Sequence, residues 1–239
     1  MQIEGKRVLV TGAGRGLGRA LVTAFVDAGA AEVFAGVRKP EDREALSSER
    51  VTPVQLEVRN DEDVEALGRL WPIDILVNNA GVAGFGNPIT MDFGAIEEEV
   101  AVNYLGVLRV TRAVAPGMIE RRDGMIVNVA TAFAKINLPI VGTYCATKSA
   151  LLSLGQALRA YLSEFGVRVI TVMPTTIDTD MSRGADVPKM TKEFVAREIL
   201  DVIREERHDP AIGDEAKGVL DGLSKDPLAL EQMLANVKA

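Results

Sequence analysis

Three groups of residues have types and spacings that can do chemistry. Near the N-terminus, Thr11-Gly12-Ala13-Gly14-Arg15-Gly16-Leu17-Gly18 forms a glycine-rich run. Glycines let a backbone turn tightly and approach a pyrophosphate, whose charge is favoured by the free N–H groups and dipole of a helix N-terminus. A glycine run alone reads equally well as a flexible turn; a strand before it and a helix after it make it a phosphate cradle. Further along, Tyr144-Cys145-Ala146-Thr147-Lys148 sets a phenol and an amine four residues apart, on one side of a helix. A phenol of ordinary pKa, about 10, is protonated at neutral pH, so to act as a base it needs a nearby cation to stabilise its phenolate. In the other direction it donates its proton to a developing alkoxide. By itself such a pair is more often a half-buried aromatic beside a surface amine.

The third group decides which dinucleotide the cradle suits. A carboxylate at the end of the second strand would accept hydrogen bonds from both ribose hydroxyls and repel a 2′-phosphate. The chain instead reads Ala35-Gly36-Val37-Arg38-Lys39, and Arg15 sits in the glycine run. Two guanidinium groups near one pocket suit a phosphate dianion through charge-assisted hydrogen bonds. The competing reading makes both solvated surface cations. The expected cofactor is therefore NADP (NADPH) rather than NAD.

These residues need elements to position them. Short β-rich apolar runs alternate with longer helical stretches, the pattern of parallel strands joined by helical crossovers. Strands are expected at Arg7 to Val10, Glu32 to Val37, Thr52 to Leu56, Ile73 to Val77, Met125 to Val129 and Arg168 to Val172, with a short one at Ala211 to Gly213. Leu17, Ala20, Leu21, Ala24, Phe25 and Ala28 recur at helical spacing, and Gly29 supplies a stop. Ala150, Leu151, Leu154, Ala157 and Leu158 give the helix that carries Tyr144 its apolar face. The expected fold class is α/β, a single-domain doubly wound Rossmann-type fold with a parallel sheet of about seven strands, over residues 1–239. The stretch from Thr175 to Met190 is too polar and broken to be core, so a substrate lid is expected near 175–200.

Composition removes several classes. Hydrophobic residues make up 47% and charged residues 26%, which is globular and not disordered composition. A formal charge of -7 argues against a nucleic-acid or anionic-membrane partner, since both reward clustered Lys and Arg. Cys145 is the only cysteine and His208 the only histidine, so neither an internal disulfide nor a Cys/His zinc cluster is expected, and no metal. The opening MQIEGKRVLVTG runs straight into a strand pattern without an apolar signal region, and no later apolar run is long enough to span a bilayer. A cytoplasmic location follows as the default expectation.

The order TGAGRGLG, then Asn78-Asn79-Ala80-Gly81, Asn103, IVNVAT, YCATK and PTTIDTDM resembles the short-chain dehydrogenase/reductase family across nearly the whole chain. It is similar to the shorter branch with the TGxxxGxG turn. The resemblance implies that Tyr144 is the catalytic acid/base and that Lys148 supports it and holds the nicotinamide ribose. It implies that Asn103 anchors a water leading toward the lysine, and that Thr131 hydrogen-bonds the substrate oxygen. Cofactor contacts are implied for Gly12, Gly14, Arg15, Gly16, Leu17, Gly18, Arg38, Glu57, Val58, Asn79, Ala80, Gly81, Pro174, Ile177 and Thr179. The implied reaction moves a hydride between NADP(H) and a carbonyl or secondary alcohol. A homodimer or homotetramer is implied through long helices starting near Ile96 and Tyr144, with Val100, Tyr104, Val107, Leu108 and Thr111 on the first.

Three positions depart from the family pattern. Thr131 stands where serine is usual; it keeps the hydroxyl but presents it through a stiffer χ1. Glu57 stands where aspartate is usual near the adenine. Thr175 follows Pro174 where glycine is usual, and its side chain narrows a space normally left open. Phe133, Leu138, Ile140 and Val141 either line a substrate pocket or fill core. As a lining they favour an apolar ketone, aldehyde or secondary alcohol over a sugar or polyanion. Cys145 reads as a small packing residue, and His208 as part of a solvated charged helix end. Two other functions compete: a non-catalytic NADP-binding regulatory or scaffold protein, and a dehalogenase-like lyase, which places Arg where Lys148 stands and dispenses with the dinucleotide.

Overall fold

The computed structural model describes residues 1–46, 48–70 and 72–235. Among them, one sheet of seven parallel strands runs in the order β3-β2-β1-β4-β5-β6-β7. The strands are β1 (Arg7–Thr11), β2 (Glu32–Val37), β3 (Val51–Gln55), β4 (Ile75–Asn78), β5 (Gly124–Val129), β6 (Val167–Pro174) and β7 (Ala211–Ile212). The helices are α1 (Gly16–Asp27), α2 (Pro40–Glu44), α3 (Asp61–Ala66), α4 (Phe93–Val100), α5 (Val107–Arg121), α6 (Gly142–Leu162), α7 (Lys192–Glu205), α8 (Asp214–Lys225) and α9 (Pro227–Leu234). Strand order reverses between β1 and β4, which pair through Val8–Ile75 and Val10–Val77. Such a switch point leaves a crevice at the carboxyl ends of the strands, where ligands of open α/β sheets bind.

Both faces of the sheet are covered, which is why its strands read as continuous apolar runs. Side chains of successive strand residues point to opposite faces. Val8, Val10, Val33, Ala35, Ile75 and Val77 therefore pack with Leu21 and Phe25 of α1 and Val195 and Ile199 of α7. Leu9, Phe34, Leu76 and Ile126 pack on the other side with Val110, Val114 and Met118 of α5.

Several expectations change in detail. Strand β4 starts at Ile75, not Ile73, because the carboxylate of Asp74 turns back to accept the Arg7 N–H at 2.8 Å. Strand β6 runs on to Pro174, which pairs with Ile212. The apolar face of α6 is rotated from the expected one. It buries Cys145, Thr147, Lys148, Leu151, Leu152 and Gly155, and leaves Ala157 exposed. Gly155 is the cause: a Cβ there would collide with Thr171 Oγ1, so its absence lets α6 lie close on β6. The helix expected near Ile96 is interrupted, with a π-helical turn at Ala101–Gly106 between α4 and α5. Within the stretch 175–200 where a lid is expected, α7 begins at Lys192 and buries Val195, Ala196 and Ile199 in the core. The remaining loop is closed at its base, where Met190 N–H donates to Thr176 O at 3.0 Å and Asp178 N–H to Met190 O at 2.9 Å.

Candidate active site

The glycine run leaves β1 and enters α1 at the switch point. Gly12 (φ 66°) and Gly16 (φ 55°) occupy the left-handed region that costs other residues energy. A Cβ on Gly12 would lie 2.8 Å from Ala80 Cα, so the turn needs glycine to pass the Asn79–Gly81 segment. Asn79 ties the two together by donating Nδ2 to Thr11 O at 2.9 Å. Leu17 and Gly18 are buried in the first turn of α1. That helix has no side-chain cap, since Arg15 at its N-cap makes no hydrogen bond to the first turn. The unmatched N–H groups and open backbone fit a pyrophosphate.

Arg15 and Arg38 each pair with a different carboxylate. Arg15, 76% exposed, pairs across the cleft with Asp180 at 3.2 Å. A cleft of ≈ 490 Å³ opens there, lined by Arg15, Gly16, Arg19, Thr179, Asp180 and Arg183 among others. Arg38 lies beyond the end of β2 and pairs with Glu57 at 3.6 Å. Glu57 is also held by Arg59 Nε at 3.1 Å. Burial works to raise the Glu57 carboxyl, but the hydrogen bonds from Arg59 and the charges of Arg59 and Arg38 outweigh it and hold the group below its ordinary value. The Val58 side chain is core, packed with Leu9, Phe34 and Leu56.

The four expected catalytic residues come from three places in the chain: α6, the turn after β5 and the π-helical turn before α5. Tyr144 and Lys148 occupy the first two turns of α6, and Lys148 Nζ lies 5.7 Å from the centre of the Tyr144 ring. Nζ donates to Val129 O, at the end of β5, at 2.9 Å. Two residues on, Thr131 opens the 3₁₀ turn Ala132–Ala134 and its Oγ1 accepts the Phe133 N–H at 3.3 Å. Asn103 sits inside the π-helical turn, fully buried. Its Oδ1 accepts the Val82 N–H at 2.9 Å, and its Nδ2 donates to Val82 O at 2.8 Å and to Thr147 Oγ1 at 3.0 Å. A Cβ on Gly81 would meet Asn103 Oδ1 at 3.3 Å and Lys148 Nζ at 3.5 Å, which places Gly81 between them.

Burial dominates the electrostatics. It lowers Lys148 to about 8. It raises the Tyr144 phenol well above its ordinary value, with Cys145 and Glu99 adding in the same direction. The Cys145 thiol is buried and pushed up by that burial, which leaves it a poor nucleophile.

The loop after β6 lies on the other side. Pro174 ends β6, and the buried Thr175 donates Oγ1 to Glu215 of α8 at 2.6 Å. Ile177 O accepts from Ser182 Oγ at 2.7 Å. Thr179 caps the short turn Asp180–Ser182, and its Cγ2 would lie 3.2 Å from a Cβ on Gly16, so this loop rests against the glycine turn. Phe133, Leu138, Ile140 and Val141 are all partly exposed, the first two packing against the cluster that holds Ala216 and Val219 of α8. Among the described residues no cluster of His, Cys, Asp or Glu is placed to hold a metal, and no helix is long and apolar enough to cross a membrane.

Sequence reasoning missed Asp180, Arg59 and Glu99. Glu99 ends the acidic run Glu97-Glu98-Glu99, which reads as a solvated face, yet it is buried beside α6. Asp180 is an ordinary surface charge until the fold brings Arg15 to it; Arg59 pairs locally with Glu57, two residues before it.

Comparison with known proteins agrees with this geometry. The family model described as short chain dehydrogenase matches residues 6–188. The chain is 38% identical over 187 residues to the D-erythrulose reductase of Gallus gallus, covering 77% of this chain and 76% of that protein. It is 37% identical to the L-xylulose reductase of Bos taurus, covering 82% of each. A crystal structure of a short chain dehydrogenase from Burkholderia cenocepacia J2315 in complex with NADP superposes with a TM-score of 0.93 at 36% identity, covering 99% of this chain and 100% of that one. With glycine turn, buried lysine and tyrosine gathered at the switch point, the chain belongs to the short-chain dehydrogenase family and is an oxidoreductase acting on CH–OH or C=O groups.

Proposed function

We propose that the protein is an NADP(H)-dependent reductase of carbonyl compounds that uses Tyr144 as acid and base. The observation that carries this reading is Lys148 Nζ, buried and anchored on Val129 O, 5.7 Å from the Tyr144 ring beside the glycine turn. When bound, NADPH supplies the hydride. The pyrophosphate site consists of Gly12, Gly14, Gly16, Leu17 and Gly18, with Arg15 and Arg38 for the 2′-phosphate. The Glu57 carboxylate is engaged by Arg59 and Arg38 and its N–H by Asp63, so the adenine would be met through the Val58 backbone beside it. Asn79, Ala80 and Gly81 border the ribose of the adenosine; Pro174, Ile177 and Thr179 face the nicotinamide carboxamide.

At the reacting carbon, Tyr144 gives its proton to the forming alkoxide as hydride arrives. Thr131 Oγ1 already accepts from the Phe133 N–H, which leaves its own proton free to donate to the substrate oxygen. Lys148 restores the tyrosine proton and holds the nicotinamide ribose. Both polar atoms of the Asn103 side chain are committed to Val82 and Thr147, so a water leading from Lys148 to solvent attaches to the Asn103 main chain.

Ile140 and Val141 remain partly exposed, and Phe85, Ile89 and Phe93 are exposed on the segment between β4 and α4. This rim favours an apolar ketone or aldehyde. The names of the erythrulose and xylulose reductases favour a small ketose, so both classes belong in the test. The exposed Val100 and Leu105, with Tyr161 of α6, give a subunit contact for a homo-oligomer, which light scattering would read as a mass above that of one 25.6 kDa chain.

NADPH oxidation with apolar ketones, aldehydes and small ketoses, beside NADH and Tyr144→Phe controls, tests the reading. Turnover with NADPH that disappears in the variant supports it. Tight NADPH binding without turnover on any substrate turns the assignment to a binding protein.

A further inference from the structure

The neighbouring strands β5, β6 and β7 each end in a segment that carries one polar side chain: Thr131, Thr175 and Glu215. Thr131 follows the last residue of β5 by two positions, Thr175 follows β6 directly, and Glu215 lies in the first turn of α8, just past β7. Met173 and Pro174 pair with Ala211 and Ile212, which sets β7 beside the end of β6. Gly213 (φ 84°) then turns the chain into α8, and a Cβ there would collide with Met190 Sδ. The helix packs close to the candidate site. Ala216, next to Glu215, shares one buried cluster with Ala132, next to Thr131. Thr175 is only 7% exposed, and its Oγ1 donates to Glu215 Oε2 at 2.6 Å. Neighbouring strands are about 4.8 Å apart, so this bond draws the carboxylate back from its own strand toward the Thr131 side.

Donors and acceptors differ along this row. Thr131 Oγ1 accepts the Phe133 N–H, which leaves its proton for a carbonyl oxygen. A carboxylate offers acceptors only. One oxygen of Glu215 is engaged by Thr175, while Oε1 accepts no hydrogen bond among the described residues. Lys217, the cation nearest to Glu215 in sequence, pairs with Asp214 instead, at 3.3 Å. Glu215 is exposed, so its free oxygen is open to a ligand. A donor for a carbonyl oxygen beside a free carboxylate oxygen complements a ketone with a hydroxyl close to its carbonyl. The same carboxylate repels a substrate that carries a negative charge at that place.

We propose that Glu215 is a specificity-determining residue: it accepts a hydrogen bond from a hydroxyl on the carbon next to the substrate carbonyl, and Thr175 is the positioning residue that holds it there. Thr175 thereby has a use where the family pattern has glycine, since its side chain narrows the space beside the nicotinamide and commits its proton to the carboxylate. The inference rests on the reductase reading and narrows its substrate class to neutral hydroxyketones.

The test measures kcat and KM with NADPH for three four-carbon ketones: acetoin, which bears the hydroxyl, butanone, which lacks it, and the anionic α-ketobutyrate. Wild type is compared with Glu215→Ala, Glu215→Gln, Thr175→Val and Tyr144→Phe, with thermal melting as the measure of folding. Wild type should favour acetoin over butanone in kcat/KM by about 10- to 100-fold, the worth of a hydrogen bond to a charged group, and use α-ketobutyrate least. In Glu215→Ala the ratio of acetoin to butanone should fall by about ten-fold or more. Glu215→Gln keeps an acceptor without the charge, so the ratio should fall less while kcat/KM for α-ketobutyrate rises. It stands in if the alanine variant does not fold. Thr175→Val keeps the shape and removes the donor; it should raise KM for acetoin with kcat kept, as the loss of binding common to ground and transition states does. A bond that only clips α8 to β6 would lower kcat/KM for all three ketones alike, together with the melting temperature. That result, or a wild type that treats acetoin and butanone equally, overturns the role of Glu215 and leaves the reductase reading standing. A wild type that reduces none of the three, or a Tyr144→Phe variant that keeps its turnover, overturns that reading and this inference with it.

Discussion

Lys148 Nζ faces the Tyr144 ring from 5.7 Å while its hydrogen bond goes elsewhere, to Val129 O. The amine is fixed by the end of β5, and under the proposed reading it acts on the phenol through space. Tyr144→Phe removes the proton and leaves this scaffold intact. It is expected to lower kcat by about 10²- to 10⁴-fold with NADPH affinity kept, which steady-state kinetics and fluorescence titration check.

The buried lysine gives stability a pH signature. Lys148 is lowered to about 8 from 10.5. Between those values the unfolded chain holds a proton that the folded protein has lost, so stability from this group rises with pH through that window. Below about 8 its penalty is constant. The stability difference, Lys148→Met minus wild type, should therefore fall from pH 8 to 10.5 in urea titrations of the cofactor-free protein. A flat difference refutes the lowered value.

Thr131 Oγ1 accepts the Phe133 N–H with a lone pair, so its own proton is left to donate to a substrate oxygen under the proposed reading. Thr131→Ala should lose about 10²-fold in kcat, the cost of one donor to a developing oxyanion. Thr131→Ser should stay within a few-fold of wild type, because it restores the hydroxyl. Equal losses in both variants would mean that the methyl group, not the hydroxyl, matters.

Arg38 stands where a carboxylate would select NAD. Arg38→Ala should raise KM for NADPH by about 10- to 100-fold, as the loss of a charge-assisted hydrogen bond predicts, and leave KM for NADH nearly unchanged. Asp180→Asn frees Arg15 from its surface pair and should tighten NADPH by no more than about five-fold. Unchanged discrimination in Arg38→Ala counts against its place at the 2′-phosphate.

Gly18 has no room for a methyl group. A Cβ there would collide with Gly12 O and lie 2.7 Å from Asn79 Nδ2. Gly18→Ala should cost about 3 kcal/mol of stability through overpacking, read as a lower midpoint in urea.

The parallel sheet was legible because its strands are buried on both faces and their apolar runs stand out between amphipathic helices. Val8, Val10, Val33 and Ala35 show this in the core beside α1. Strand ends were less legible, since Asp74 and Pro174 take their places through partners on β1 and β7. The buried face of α6 was misread because Gly155, Thr147 and Lys148 are not apolar, yet close approach to β6 and the site bury them. The π-helical turn around Asn103 has no signature in hydrophobic spacing.

The sequence by itself determined the family, the order of the motifs and the residue types available for chemistry. These reside in local patterns: a glycine run between strand and helix, and a tyrosine four residues before a lysine. Only the tertiary structure decided which charges meet. Arg15 finds Asp180 some 165 residues away, Arg38 reaches Glu57 from the end of β2, and Glu99 leaves an acidic run to lie buried against Gly84. Coulombic and desolvation energies depend on distance and burial in space, and neither quantity is written in the spacing of residues along a chain.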